Sequence, residues 1–113
     1  MLKKSVVVLL VFASVESWAN GWGVIGAGNA SCANWEGNAS LRVEVLSWMA
    51  GFSSAVNLEF AEKNEPEYRL ELLTYDYLTS QINKVCSDKK NSGMSMSSIL
   101  FGVLADFPRE KSK

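Results

Sequence analysis

The sequence predicts an all-α fold: one small domain of three to four helices, with one disulfide and a glycine-rich N-terminal arm. Three observations predict it. Apolar residues recur every three or four positions in three separate stretches, the period of an amphipathic helix. Each stretch follows a small polar residue able to cap its first turn, and charged, proline-containing or glycine-containing breaks divide the stretches. The chain holds two cysteines, Cys32 and Cys86, behind a segment that reads as an export address.

That address comes first in the chain. Lys3 and Lys4 form a basic start, Ser5 to Val15 is an uncharged apolar run, and Ser17-Trp18-Ala19 supplies small residues for a signal peptidase. The layout predicts a signal peptide over residues 1–19, cut between Ala19 and Asn20, and too short to span a membrane. No cysteine sits at the cut to carry a lipid anchor. The processed chain is therefore expected in the periplasm or outside the cell, without a membrane span. Residues 20–113 form a single domain, with an arm and loop over 20–40, a helical core over 41–107 and a solvated tail over 108–113. In an oxidising compartment two cysteines pair, so Cys32 and Cys86 are expected to be bonded. Closing a loop of roughly 55 residues stabilises the fold by about 4 kcal/mol in the chain-entropy treatment.

Gly21, Gly23 and Gly26 spell a G-x-G-x-x-G, the dinucleotide fingerprint, but the apolar run before it belongs to the export segment and no strand–helix–strand unit follows. The arm reads instead as an extended segment whose Trp22, Val24 and Ile25 pack on the helices behind it. Asn29-Ala-Ser31 and Asn38-Ala-Ser40 match the glycosylation triplet, which acts only in a secretory pathway that reads it. Residues 36–40 look like a polar loop.

The long helix is predicted over 41–62. Leu41, Val45, Trp48, Met49, Phe52 and Val56 share a face, with Ser40 or Asn38 as cap. Gly51 inside it suggests a close crossing by another segment. Lys63 to Arg69 is a charged break around Pro66. Thr74 caps a second helix over 75–87, with Leu78 and Ile82 on its apolar face and Asp76 in its first turn. After the Asn91-Ser92-Gly93 turn, Ser95 or Ser97 caps a third helix over 96–106, stopped by Pro108. The expected core sets Trp48 and Phe52 of the long helix against Leu78, Ile82, Leu100 and Val103.

Composition narrows the chemistry. The whole chain has a net charge of −1, which becomes −2 once Lys3, Lys4 and Glu16 are removed. Such a chain lacks the field that draws nucleic acid. Histidine is absent, so the commonest general base and metal ligand are missing. No cofactor or metal is expected. Glu44, Glu59, Glu62 and Asp76 are the carboxylates available for acid–base work, but helix-surface carboxylates are usually solvated. The expectation is a protein without catalysis.

The order of signal peptide, Gly26-Ala-Gly28 lead, Cys32 and Trp35, a helix carrying Trp48-Met-Ala-Gly51-Phe52-Ser-Ser-Ala-Val-Asn57, and a helix closing on Cys86 resembles a known layout. It is similar to small exported bacterial proteins with the fold of the Hde-type periplasmic acid chaperones, and to the Rap/Tai-type immunity proteins of type VI secretion. The resemblance implies the Cys32–Cys86 disulfide. It departs at the end of the chain, where the immunity group carries a further cysteine and this chain reads Asp106-Phe-Pro-Arg109, and after Cys86, where the chaperones carry Asn-Pro and this chain has Ser87-Asp-Lys-Lys90.

A protein partner in the envelope is expected on other grounds, because a stapled scaffold showing polar loops and no catalytic motif suits recognition better than chemistry. In one version the chain binds and neutralises a secreted effector, with contacts from the 63–69 break and the 88–95 turn, since loops on a rigid scaffold commonly carry binding. In the alternative it is an acid-activated chaperone, turned strongly positive at about pH 2–3 as its carboxylates protonate. A third version is an envelope protein of another role. A homodimer through the long helix is also allowed, because Leu58 and Phe60 widen its apolar surface.

Overall fold

The computed structural model describes residues 26–111. The export segment, the cleavage point at Ala19 and Asn20, and the arm as far as Ile25 lie outside the described residues. Four α-helices follow in order: α1 (Cys32–Gly37), α2 (Ala39–Glu62), α3 (Tyr75–Cys86) and α4 (Met96–Ala105). Short 3-10 turns occupy Gly26–Asn29, Leu70–Leu72 and Lys89–Asn91, and two short strands, β1 (Glu67–Tyr68) and β2 (Arg109–Glu110), pair antiparallel.

Local chemistry sets the helix starts. Ser31 begins α1 with a capping box: its hydroxyl accepts from the Asn34 amide, and the Asn34 side chain accepts from the Ser31 amide. Asn38 ends α1 and caps α2, its side chain accepting from the Leu41 amide at 3.2 Å. Thr74 and Ser95 cap α3 and α4 by the same bond, to Tyr77 and Ser98. Residues 36–40, expected as a loop, thus hold the end of α1 and the start of α2. Arg42 satisfies the last carbonyls of α1, donating to Trp35 O at 2.8 Å and to Glu36 O at 3.0 Å. At its far end α2 stops where Asn64 turns left-handed, with φ 58°.

The Cys32–Cys86 disulfide joins the first residue of α1 to the last of α3, with Cα atoms 5.2 Å apart. The same junction is laced by main-chain bonds, from Cys32 N to Met94 O, Ala33 N to Ser92 O and Met96 N to Ala30 O. Around it lies the core: Trp35 from α1, Val45, Leu46 and Met49 from α2, Leu78 and Ile82 from α3, and Met96, Ile99, Leu100 and Leu104 from α4. Trp35 is fully buried and keeps its indole N–H satisfied by the Asn83 side chain at 2.9 Å.

Leu78, Ile82 and Leu100 are therefore central, whereas Trp48, Phe52 and Val103 are only half-buried. The reason is the rotation of α2. It turns Val45, Leu46, Met49 and Ser53 inward, which leaves Trp48 and Phe52 on the shoulder of the buried face. There the two rings stack, with centroids 5.4 Å apart, and Phe52 tilts against Phe101 of α4. The Gly26–Asn29 turn covers Trp48 so closely that a Cβ on Gly28 would run into the indole ring. Gly51, by contrast, is exposed, and a Cβ there would meet nothing within 4 Å. No described segment crosses at that position.

The C-terminal residues also depart from expectation. Arg109 and Glu110, read as part of a solvated tail, form β2 opposite Tyr68 and Glu67. Pairing is held from three sides. Arg69 N donates to Pro108 O, the Asn57 side chain binds the Tyr68 backbone, and Arg109 donates twice to Pro66 O while its guanidinium lies 3.9 Å from the Phe60 ring centre.

Candidate functional site

Two loops were candidates for contact, and the fold treats them differently. The 63–69 break is committed to the ribbon with β2, and Arg69 and Glu65 find ion-pair partners close by: Arg69 pairs with Glu71 at 2.7 Å and with Glu110 at 3.6 Å, and Glu65 with Arg109 at 3.9 Å. Its own backbone N–H and the Arg69 side chain hold the Glu71 carboxyl below the usual range. The Glu59 carboxylate, by hydrogen bond and charge, raises Lys63 above its ordinary value.

The 88–95 turn, in contrast, forms one end of an open groove. Asp88 caps its 3-10 turn by accepting from Lys90 N at 3.0 Å, and the Asn91 side chain donates to Val85 O at 2.9 Å, fastening the turn to α3. This leaves a shallow groove of about 560 Å³ between α3 and α4. Gln81, Lys84 and Val85 line it from α3, Asn91 and Met94 from the turn, and Ser98, Ile99, Gly102 and Val103 from α4. Ile99 is buried at its base, Val85 and Val103 are half-buried, and Met94 is exposed. The groove exists because Ile82 and Leu100 draw the two helices together on their inner faces, while Val85, Val103 and Gly102 lack the length to close the outer side. The disulfide at Cys86, one residue beyond Val85, fixes that end of α3.

Among the residues expected from sequence, Cys32 and Cys86 are bonded and Val103 lines the groove, whereas Trp48 and Phe52 belong to a separate aromatic shoulder. Glu44, Glu59, Glu62 and Asp76 are all exposed on helix surfaces. Sequence reasoning did not single out Met94, Gly102 or Gln81. A glycine inside the apolar stripe of α4 was the available signal.

Among the described residues, no group of three or more His, Cys, Asp or Glu side chains is placed to hold a metal, and no helix is long and apolar enough to cross a membrane. Compared with known proteins, the chain matches no protein-family model, no curated protein and no solved structure.

Proposed function

We propose that this is an exported, non-catalytic protein that acts by binding another protein of the envelope or an effector delivered to it. The observation that carries this reading is the groove: an apolar floor left open to solvent beside a turn that a disulfide and main-chain bonds hold in place. Rigid concave apolar surfaces with a few polar groups at the rim are what partner side chains fill. The signal-like start of the chain and the oxidised cysteine pair fit a periplasmic or secreted setting. Neutralising an effector is the sharpest form of this function, and needs only a surface that docks.

The acid-chaperone alternative draws no specific support from the interior. Among the described residues, none of the buried side chains is ionisable, so acid has no buried charge pair to break. Affinity capture of the tagged, disulfide-intact protein from envelope extract, followed by mass spectrometry, tests the proposal. A partner recovered in comparable amount to the bait supports it. Repeated recovery of the bait alone, or turnover of a substrate by the purified chain, would count against it.

A further inference from the structure

Resting on the binding reading above, three features of the groove say what kind of segment fills it. Its floor is apolar, from Val85, Ile99 and Val103. Gly102 stands on its α4 wall, where a Cβ would meet nothing within 4 Å, so the fold does not require glycine there. Glycine weakens a helix interior, and what it leaves in return is bare backbone that a second helix can approach closely. Finally, the rim is basic. Lys84 is the one charged residue in the lining, and Lys89 and Lys90 stand on the turn that also supplies Asn91. Among the described residues, Lys84 and Lys89 make no ion pair, while Lys90 reaches Asp88 at 3.6 Å.

We propose that the groove receives a single amphipathic helix of the partner protein, with carboxylates along one flank. Its apolar residues, spaced at three and four, sit on Val85, Ile99 and Val103, its backbone passes over Gly102, and its carboxylates face Lys84 and Lys89. The occupant is helical because both walls are helices whose main-chain groups are internally bonded. An extended strand would find no edge to pair with, whereas a helix arrives with its own backbone satisfied. A second copy of this chain is the competing occupant, since Leu58, 63% exposed, shares the outer face of α2 with Glu62.

The test uses two synthetic peptides of about four helical turns with one leucine stripe, flanked by glutamates in one and by lysines in the other. Each is titrated into the ¹⁵N-labelled, disulfide-intact chain. The glutamate peptide is expected to shift resonances of residues 81–85, 91–94 and 98–103. Its affinity is expected to fall about threefold to tenfold in Lys84→Glu, as loss and reversal of an exposed charge contact require. Gly102→Leu, an exposed position that leaves the core untouched, is expected to abolish the shifts with the helical signal unchanged. Equal binding of the lysine peptide, shifts mapping elsewhere, no shift at about millimolar peptide, or self-association through residues 81–103 would each overturn the proposal. An envelope partner captured equally well by Gly102→Leu and the parent would overturn the groove while leaving the binding function standing. Capture of nothing by the parent would instead strike at the function itself.

Discussion

Asn57 binds Tyr68 as a neighbouring strand would: its side-chain oxygen accepts from the Tyr68 amide at 2.7 Å and its side-chain nitrogen donates to the Tyr68 carbonyl at 2.8 Å. One asparagine on α2 thereby satisfies both backbone groups of a residue in β1 and fixes the ribbon against the long helix. Asn57→Ala is expected to lower stability by about 1–3 kcal/mol, because a half-buried donor and acceptor lose their partners together. Asn57→Asp keeps the acceptor and removes the donor, so urea unfolding should rank it between parent and alanine variant or below both. An alanine variant as stable as the parent would show that water replaces the side chain without loss.

The disulfide closes a loop with a sequence separation of 54 residues. Replacing Cys32 and Cys86 with alanine is expected to lower stability by about 2–4 kcal/mol. Urea unfolding of the double variant, beside thiol labelling of the native parent, checks both the bond and its weight. Labelling of either cysteine in the native parent would refute the bond.

Two small substitutions in or against α2 are expected to act in opposite directions. Gly28→Ala drives a methyl group into the Trp48 ring and should cost about 1–3 kcal/mol as that packing gives way. Ser53 is fully buried, and among the described residues its side-chain hydroxyl has no hydrogen-bond partner. Ser53→Ala removes an unsatisfied polar group and should leave stability unchanged or raise it by about 1 kcal/mol. Thermal unfolding of the pair decides. A destabilised Ser53→Ala would reveal a bond from that hydroxyl in solution.

Much of this fold was legible because it is local. Asn38, Thr74 and Ser95 each cap the helix they precede through a bond three residues ahead, and that chemistry can be read from the residue and its position. Leu78 and Ile82 could be placed inside because α3 has one clear apolar stripe, and Leu100 because α4 is apolar around most of its circumference. The rotation of α2 could not. Its apolar residues spread around more than one face, so Val45, Leu46 and Met49 compete with Trp48 and Phe52, and packing with the other helices and the Gly28 turn settles the competition. The ribbon was hidden for another reason. Strands of two residues carry no period, and the bonds of Arg109 to Pro66 and of Asn57 to Tyr68 are tertiary. The groove depends on how α3 and α4 sit, so of its lining the sequence pointed only to the 88–95 turn and Val103, and not to Gln81 or Gly102.

Acid should not open this domain. Among the described residues every ion pair is at least a third exposed on both sides, and solvent-screened pairs of that kind add little to stability. Glu71, whose carboxyl is depressed in the fold, contributes stability that is present above the ordinary carboxylate range. That contribution is lost as pH falls through its lowered value, and its full exposure keeps it small. At about pH 3 the helical signal is expected to persist and an apolar dye to remain unbound. Cooperative loss of helix with dye binding would favour the acid-activated chaperone.

The most direct test of a binding function seated in the groove is hydrogen exchange of the parent chain, alone and with the partner recovered from the envelope. The binding account predicts slowed exchange at residues 81–85, 91–94 and 98–103, with the outer face of α2 unchanged around Gly51 and Leu58. Protection confined to that face of α2, or no change anywhere on adding the partner, would contradict it.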